Sequence, residues 1–240
     1  MSSRQEEKEQ RKRERLERER LAAQSARRRR LQITGGVVVA TAVVVAAVVA
    51  IAGGGGDSKP TTPRANRVPI PARKVTNLEA AAKAAGCAFT NPPIEGSNHV
   101  TTKVTYKTNP PTSGDHVPPG QQASDGSYVG LEAPAPERYV HSLEHGRIII
   151  QYKPGLAKRR IGQLETLYLE SSKTDFGLDS VNGGFTLIMQ NNTKMPADVA
   201  ATAWGHLLAC PTFNDRVFDA IRAFRQRYVL QAPEKVTEQE

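Results

Sequence analysis

The sequence predicts an α+β fold: a single extracytoplasmic domain with a small mixed sheet and three helices, preceded by one transmembrane helix and a charged cytoplasmic tail. Three features of the 240-residue chain indicate this arrangement. A long apolar run without charge follows a basic N-terminus, strand-like and helix-like segments follow one another beyond it, and both cysteines lie beyond it as well. Strand and helix patterns mixed within one stretch of roughly 155 residues are typical of a single α+β domain.

Residues 1–30 carry most of the positive charge. They contain 12 Lys/Arg and 6 Asp/Glu, so they contribute +6 to a net charge of +9. Because this segment has almost no apolar residues to bury, it is predicted to be a solvated cytoplasmic tail. The basic pI therefore belongs mainly to the tail, and we expect no nucleic-acid partner for the folded domain.

Residues 31–52 form an apolar run without a single charge. At about 1.5 Å per residue, a helix of this length spans roughly 33 Å, enough for the hydrocarbon core of a bilayer. The basic cluster before it predicts a single-pass plasma-membrane protein, with the N-terminus in the cytoplasm and lipid around the anchor. The alternative is a cleaved signal peptide ending at Ala50-Ile51-Ala52, but the long basic region and long apolar run favour an uncleaved anchor.

The folded part is expected to cover residues 76–232. Residues 53–75 are rich in Gly, Pro and Thr and have no apolar periodicity, which indicates a linker. Residues 233–240 are predicted to be a polar tail. A domain of about 150 residues buries about 68–70% of the surface of its unfolded chain, which is sufficient for a core.

The first elements of the domain are a short helix and a strand. Residues 76–79 (Thr-Asn-Leu-Glu) have the pattern of a capping box, and Gly86 ends the helix. Residues 99–106 alternate and are rich in β-branched side chains, which predicts a strand. A loop follows over residues 107–138; a loop of this length is usually functional or disordered.

The second half predicts a strand, a helix, a further strand and a last helix. The strand at residues 147–152 is the most apolar, and the amphipathic helix covers residues 156–171. Another strand covers residues 185–189. Residues 199–209 are ambiguous, with strand favoured over helix. The last helix covers residues 214–228 and buries its apolar face.

The two cysteines, Cys87 and Cys210, form no Cys-x-x-Cys motif, which excludes a zinc ribbon and a thioredoxin-type redox site. Disulfides persist outside the cytoplasmic membrane, so we expect the two to be bonded to each other. Such a bond would add about 4–5 kcal/mol in the chain-entropy model. Two unpaired buried thiols are the alternative.

Residues 141–146 read His-Ser-Leu-Glu-His-Gly and run into the apolar strand. On a helix or compact turn, His141 and His145 share a face at about 6 Å between Cβ atoms, close enough to bind one metal ion. On a strand they would lie roughly 13 Å apart, too far for one ion. A metal site therefore requires a helix or turn here, with the strand starting only after Gly146. The alternative is a buried hydrogen-bond network that includes Glu144.

The loop before this motif contains Pro-Pro-Thr-Ser-Gly-Asp-His at residues 110–116. Its prolines restrict the backbone, and the turn at Ser113 directs His116. Asp115 is expected to orient His116 by a hydrogen bond to the ring nitrogen that does not bind the metal. Tyr128 is expected to anchor the far half of the loop. The alternative is an exposed His116 in an ordinary turn.

The two motifs together resemble an uncharacterised domain-of-unknown-function family, number 3105, common in membrane-anchored envelope proteins of actinobacteria. The resemblance covers about residues 76–232 and includes Pro-Pro-Thr-Ser-Gly-x-His, His-Ser-Leu-Glu-His-Gly, Gly126-x-Tyr128, Trp204-Gly205 and Pro233-Glu234. It implies an extracytoplasmic α+β domain behind an N-terminal anchor, and it implies no activity. It also draws attention to one set of residues: His99, His116, His141, Glu144 and His145.

The function expected is binding of a divalent transition metal, zinc or copper, by His99, His116, His141 and His145. The main alternative is a non-catalytic interaction or structural module of the envelope without metal; protein partners stay open. A zinc hydrolase is less favoured, because residues 141–145 match the inverted zinc-peptidase pattern but a glycine and a strand follow at once. We therefore assign no catalytic residue. Neighbours in sequence cannot form a catalytic triad around Ser113. His206 is expected to be a packed or surface residue.

Overall fold

The computed structural model describes residues 68–170 and 184–234, with the backbone of residues 172–173 and 179–180, all within a unit that spans residues 56–240. Its architecture is α+β, as predicted, with a mixed sheet. The described residues form four helices rather than three: α1 (Leu78–Ala85), α2 (Pro136–Glu144), α3 (Lys158–Tyr168) and α4 (Val217–Tyr228).

Six strands form the main sheet, in the order β1-β8-β7-β3-β6-β2. The central strand β3 runs parallel to β6 and antiparallel to β7. Two short strands, β4 and β5, pair separately. The strands are β1 (Ala88–Thr90), β2 (Gly126–Ser127), β3 (Ile148–Tyr152), β4 (Ser172–Lys173), β5 (Asp179–Ser180), β6 (Thr186–Gln190), β7 (Val199–Ala203) and β8 (His206–Cys210).

The central strand β3 is buried on both faces. Its successive side chains point alternately into two hydrophobic cores, one on each face of the sheet. Ile148 and Ile150 face a core that includes the apolar residues of α1, α3 and α4. Ile149 faces the opposite side, where Tyr139 and Leu143 of α2 pack against it. Among the described helices, α2 is therefore the one that packs on this second face of the sheet, and this face carries the candidate site.

Helix α2 is absent from the sequence prediction, which placed a loop up to residue 138. Its N-terminal part is favoured by Pro136 at the first helical position, where the missing N–H has no partner to lose. Every residue from Tyr139 to Glu144 is buried, the polar His141, Ser142 and Glu144 included. Only Tyr139, Val140 and Leu143 of this helix are apolar, and three residues are too few for the periodic pattern by which a longer helix is predicted.

The strand predicted at residues 99–106 is wrong. His99 alone forms a single parallel bridge with His116, and the following residues find side-chain partners instead of another strand. The Val104 N–H donates to Glu137 Oε1 at 2.8 Å, and the Lys107 N–H donates to Glu95 Oε2 at 2.6 Å. β-branched residues form a strand only where a neighbouring strand pairs with their backbone. Here carboxylates accept backbone N–H hydrogen bonds instead.

Several local predictions are confirmed. The short helix α1 ends at Gly86 with φ +71°, as predicted, but its N-cap is one residue later than the capping box indicated: Asn77, not Thr76, accepts from the Ala80 N–H, at 2.9 Å. Residues 199–210 form a hairpin of two strands, as favoured. Helix α4 begins three residues later than predicted, because Asn214 accepts from the Arg216 N–H in the preceding turn.

The predicted disulfide is also present, between Cys87 and Cys210. It connects the second residue after α1 to the last residue of β8. In the chain-entropy model, closing a loop of this length restricts the unfolded chain enough to add about 4–5 kcal/mol of stability.

The predicted tail at residues 1–30, the predicted span at residues 31–52 and most of the linker lie outside the described residues. Within the described part, no helix combines the length and the apolarity that a membrane crossing requires.

Candidate metal centre

The C-terminal turns of α2 bring two histidines together. His141 Nε2 and His145 Nε2 lie 2.9 Å apart, and the two rings stack at 4.8 Å between centroids. This confirms the condition set by the i, i+4 spacing, because the segment is helical and β3 begins only at Ile148. Gly146 makes the change of direction with φ +76°. A Cβ there would lie 2.6 Å from Leu230 Cα, so glycine is required.

The other two histidines come from different loops that run side by side. The Val100 N–H donates to His116 O at 2.7 Å, and the His116 N–H donates to Asn98 O at 3.0 Å. These bonds set His99 next to His116. The Pro-Pro-Thr-Ser-Gly segment before His116 is buried, so His116 is itself fully buried rather than exposed in a turn.

The rings of His99, His116 and His141 converge. One ring nitrogen from each lies within 4.8 Å of the other two, and the ring centroids are 4.9–5.3 Å apart. A tetrahedral ion with nitrogens at about 2.0–2.1 Å needs nitrogens about 3.3 Å apart, so small side-chain rotations would bring the three onto one ion. The His99 side chain is 36% exposed and forms the side that faces solvent.

Two backbone carbonyls set the orientation of the buried rings. His116 Nδ1 lies 2.8 Å from Gly114 O, and His141 Nδ1 lies 2.6 Å from Val117 O. A carbonyl oxygen can only accept, so each Nδ1 must carry the proton that it donates. In the neutral rings the Nε2 lone pair of His116 is then left for a ligand, whereas that of His141 faces His145 Nε2 at 2.9 Å and becomes available to an ion when His145 turns away. A metal-binding histidine typically has this second hydrogen bond, which fixes its tautomer and direction.

Glu144 faces the same point from α2. Its side chain is 4% exposed, and Oε2 lies 2.8 Å from His116 Nε2 and 3.9 Å from His99 Nε2. Since Nδ1 of His116 donates its proton to a carbonyl, the neutral ring and the carboxylate would meet as two acceptors. Two acceptors at this distance repel each other unless a proton or a cation lies between them. The arrangement of Glu144 and His116 therefore requires a positive species.

Burial lowers the pKa of His141, and the neighbouring imidazoles of His116, His145 and His99 lower it further. The bond to the Val117 carbonyl partly opposes this shift. A lowered pKa keeps the ring neutral at neutral pH, and the neutral ring is the form that binds a metal ion.

His145, the fourth predicted ligand, lies beside His141 rather than within the group of three. The Nε2 atom of His145 that contacts His141 is also 3.7 Å from Glu234 Oε2. The Glu234 N–H also donates to Glu144 O at 3.3 Å. Glu234 was assigned to a polar tail, so the sequence reasoning missed its role. The only signal for it was the Pro233-Glu234 pair of the family resemblance.

The supporting role predicted for Asp115 needs correction. Its carboxylate accepts from the backbone and side-chain amides of Asn98 at 3.0 and 3.1 Å, while Gly114 O orients His116. Asp115 thus fixes the loop that carries His99. Ser113 Oγ accepts from the Glu95 N–H at 3.0 Å and is a structural residue of the same loop pair.

Three further residues lie around the cluster or outside it: Tyr128, Trp204 and His206. Tyr128 is buried, and its hydroxyl donates to Ser124 O at 3.0 Å, so it anchors the far half of the loop as expected. Trp204 belongs to the core, and its ring also meets His116 edge-on at 5.9 Å. His206 lies outside the cluster, stacked on Tyr228 at 3.9 Å.

Comparison with known proteins supplies a family but no activity. No curated protein and no solved structure matches the chain. A family model, described as "Protein of unknown function (DUF3105)", matches residues 99–240 and so begins at the first histidine of the cluster. This chain therefore belongs to the DUF3105 family, as the two histidine motifs predicted.

Proposed function

We propose that this domain binds one divalent transition-metal ion through His99, His116 and His141, with Glu144 as a fourth donor. The observation that carries the proposal is the convergence of three imidazoles, beside a buried carboxylate that lies 2.8 Å from one of them, His116. The Nδ1 atoms of His116 and His141 are held by the carbonyls of Gly114 and Val117, which leaves the Nε2 lone pairs for a ligand once His145 Nε2 no longer occupies that of His141.

The donor set favours zinc or copper. Three imidazole nitrogens and one carboxylate oxygen suit Zn²⁺ and Cu²⁺, whereas Mg²⁺ and Ca²⁺ prefer oxygen ligands alone. Both cysteines are consumed in the disulfide, so no thiolate is present to favour Cu⁺. At a site of this kind Cu²⁺ binds more tightly than Zn²⁺ by the Irving–Williams order.

The proposal includes a location outside the plasma membrane. The apolar run at residues 31–52 would anchor the chain in lipid, and the basic residues before it would stay in the cytoplasm. The disulfide agrees with an oxidising, extracytoplasmic compartment. The metal centre would then face the envelope, about 15 or more residues of linker away from the bilayer.

The second candidate function is a structural or interaction module of the envelope in which protons take the place of the ion. One observation favours it: His116 and Glu144 at 2.8 Å would form a buried ion pair if the ring were doubly protonated. A zinc hydrolase ranks below both. In the peptidase pattern the glutamate activates a water on the ion, whereas Glu144 contacts His116 directly.

The decisive experiment measures the metal content of the full-length chain, purified in detergent, by inductively coupled plasma mass spectrometry. We expect one equivalent of zinc or copper in the wild type and a loss of most of it in His116→Ala and in His141→Ala. His206→Ala is the matched control, because His206 lies outside the cluster. Stoichiometric metal in all variants, or none in the wild type after exposure to excess Zn²⁺ and Cu²⁺, would refute the proposal.

A further inference from the structure

A partly open cavity of about 310 Å³ lies beside the histidine cluster, between residues 120–125 and the junction of α2 with β3. Its polar lining side chains are Gln122, Ser124, Asp125, Ser142, His145 and Arg147. His145 is the shared wall, since its Nε2 is 2.9 Å from His141 Nε2 on the other side. The cavity is therefore separated from the proposed metal ligands by one imidazole ring.

Arg147 supplies a fixed positive charge to this cavity. Its Nε donates to Asp125 Oδ1 at 3.3 Å, and one Nη donates to His145 O at 3.2 Å. The guanidinium also lies 5.8 Å from the centre of the Phe185 ring. These contacts hold the plane of the guanidinium. They use two of its five N–H donors, counting partners within the described residues.

The charges of the cavity wall select the class of ligand. Asp125 is compensated by Arg147, and its second oxygen accepts from the Phe185 N–H at 3.2 Å. Because the charges of Arg147 and Asp125 balance each other, the remaining N–H groups of the guanidinium decide the preference, and they favour a monoanion, which accepts hydrogen bonds, over a cation, which does not. A phosphate dianion would bring two charges towards Asp125, whereas a planar carboxylate matches the fork of a guanidinium.

The volume limits the size of that ligand. Because water occupies about 30 Å³ per molecule in the liquid, 310 Å³ corresponds to roughly ten water-sized groups. The hydroxyls and the amide on the wall can bond to further polar atoms of such a molecule.

We propose that this cavity binds a small organic carboxylate, with Arg147 pairing with the carboxylate group and His145 separating it from the metal ion. The inference rests on the proposed metal site for its role, because the carboxylate would bind next to the ion. The cavity and its guanidinium are nevertheless present independently of the ion, so that the two proposals can fail separately.

The test uses saturation-transfer NMR on the full-length chain loaded with Zn²⁺, with acetate and succinate as probes. Acetamide serves as the neutral counterpart and inorganic phosphate as the competing anion. Arg147→Lys keeps the charge beside Asp125 but loses the fork, and Ser124→Phe fills the cavity from an exposed position. Arg160→Lys is the matched control, because Arg160 pairs with Asp215 at 2.7 Å outside the cavity.

We expect acetate or succinate to bind the wild type and the control equally, about tenfold more weakly to Arg147→Lys, and not at all to Ser124→Phe. Acetamide should not bind. Equal carboxylate binding by all variants, binding of acetamide, or tighter binding of phosphate would overturn the proposal. Metal content is measured on the same samples: a chain that holds zinc but no carboxylate refutes only the cavity, and the reverse result refutes only the metal site.

Discussion

Replacing Glu144 by glutamine should have opposite effects on metal affinity and on the stability of the metal-free protein. The side chain is almost fully buried, and Oε2 is 2.8 Å from His116 Nε2. On the proposed function, removing the ion leaves the Glu144 carboxyl group facing the Nε2 lone pair of His116, whose Nδ1 donates to Gly114 O, so the buried group loses the cation that compensated it. The glutamine amide could instead donate a hydrogen bond to that lone pair.

The magnitudes follow from the two changes. Removing a buried charge and making a neutral buried hydrogen bond should raise the free energy of unfolding of the metal-free protein by about 1–3 kcal/mol. Loss of the anionic donor should weaken zinc binding by a factor of about 10–100 or more, since even outer-shell partners have effects of this size. Chemical denaturation of protein treated with EDTA measures the first quantity, and competition against a zinc chelator measures the second.

Glu234→Gln is the matched control. The Glu234 carboxylate is 49% exposed, and its distance of 3.7 Å from His145 Nε2 is too long for a hydrogen bond. We expect it to change stability by no more than about 0.5 kcal/mol. The competing structural function predicts the opposite result for Glu144→Gln. If protonated His116 and Glu144 form a buried ion pair, removing one charge should destabilise the metal-free protein by about 3–5 kcal/mol. That outcome, with unchanged zinc affinity, would refute the reasoning.

Three further predictions concern the scaffold and its protonation. Gly146→Ala should lower the free energy of unfolding by about 3 kcal/mol or more in urea denaturation, because φ is +76° and the new Cβ would lie 2.6 Å from Leu230 Cα. Reduction of the bond between Cys87 and Cys210 should lower it by about 4–5 kcal/mol, measured by denaturation with and without dithiothreitol. Lowering the pH below about 6.5 should weaken zinc binding and destabilise the metal-free protein, because burial lowers the pKa of His141. In the unfolded chain His141 has the higher pKa and takes up its proton first as the pH falls. The contribution of neutral His141 to the free energy of unfolding is therefore complete above about pH 6.5 and is lost as the pH falls towards the lower pKa of His141 in the folded protein.

For each of these three predictions, a control variant or a contrary result distinguishes the proposed physical cause from others. Gly155 has φ +84°, but no neighbouring atom lies within 4 Å of the position that a Cβ would take, so Gly155→Ala should cost about 1 kcal/mol. Equal losses at the two glycines would mean that the contact with Leu230 is unimportant. Denaturation midpoints that do not respond to dithiothreitol would contradict the disulfide prediction. Zinc affinity that stays constant between about pH 7.5 and 5.5 would show that His141 is not a ligand.

Local sequence patterns gave part of the helical portion of the site. The i, i+4 spacing of His141 and His145 set the condition that a metal site needs a helix or turn before Gly146, and the segment is helical, although the full length of α2 was not predicted. The start of α1 was predicted to within one residue, because capping depends on neighbours within one turn.

Long-range partners account for what the sequence analysis missed. The alternation of residues 99–106 indicated a strand, but the Glu137 carboxylate accepts from the Val104 N–H within this segment, and the Glu95 carboxylate accepts from the N–H groups of Lys107 and Thr108 directly after it. Asp115 was assigned to His116 because they are neighbours in sequence, yet its carboxylate turns to Asn98. Side-chain competition of this kind has no signature in a single sequence.

The amino-acid sequence was enough to predict the histidines of the candidate site, their motifs and the family, and it favoured a bond between the two cysteines. The folded domain was needed to show that His99, His116 and His141 meet, that His145 lies to one side, and that Glu234 returns to α2. The difference comes from distance along the chain. Spacing within a helix is set by local geometry, whereas the meeting of two loops with a helix depends on how the sheet packs, which is a property of the whole domain.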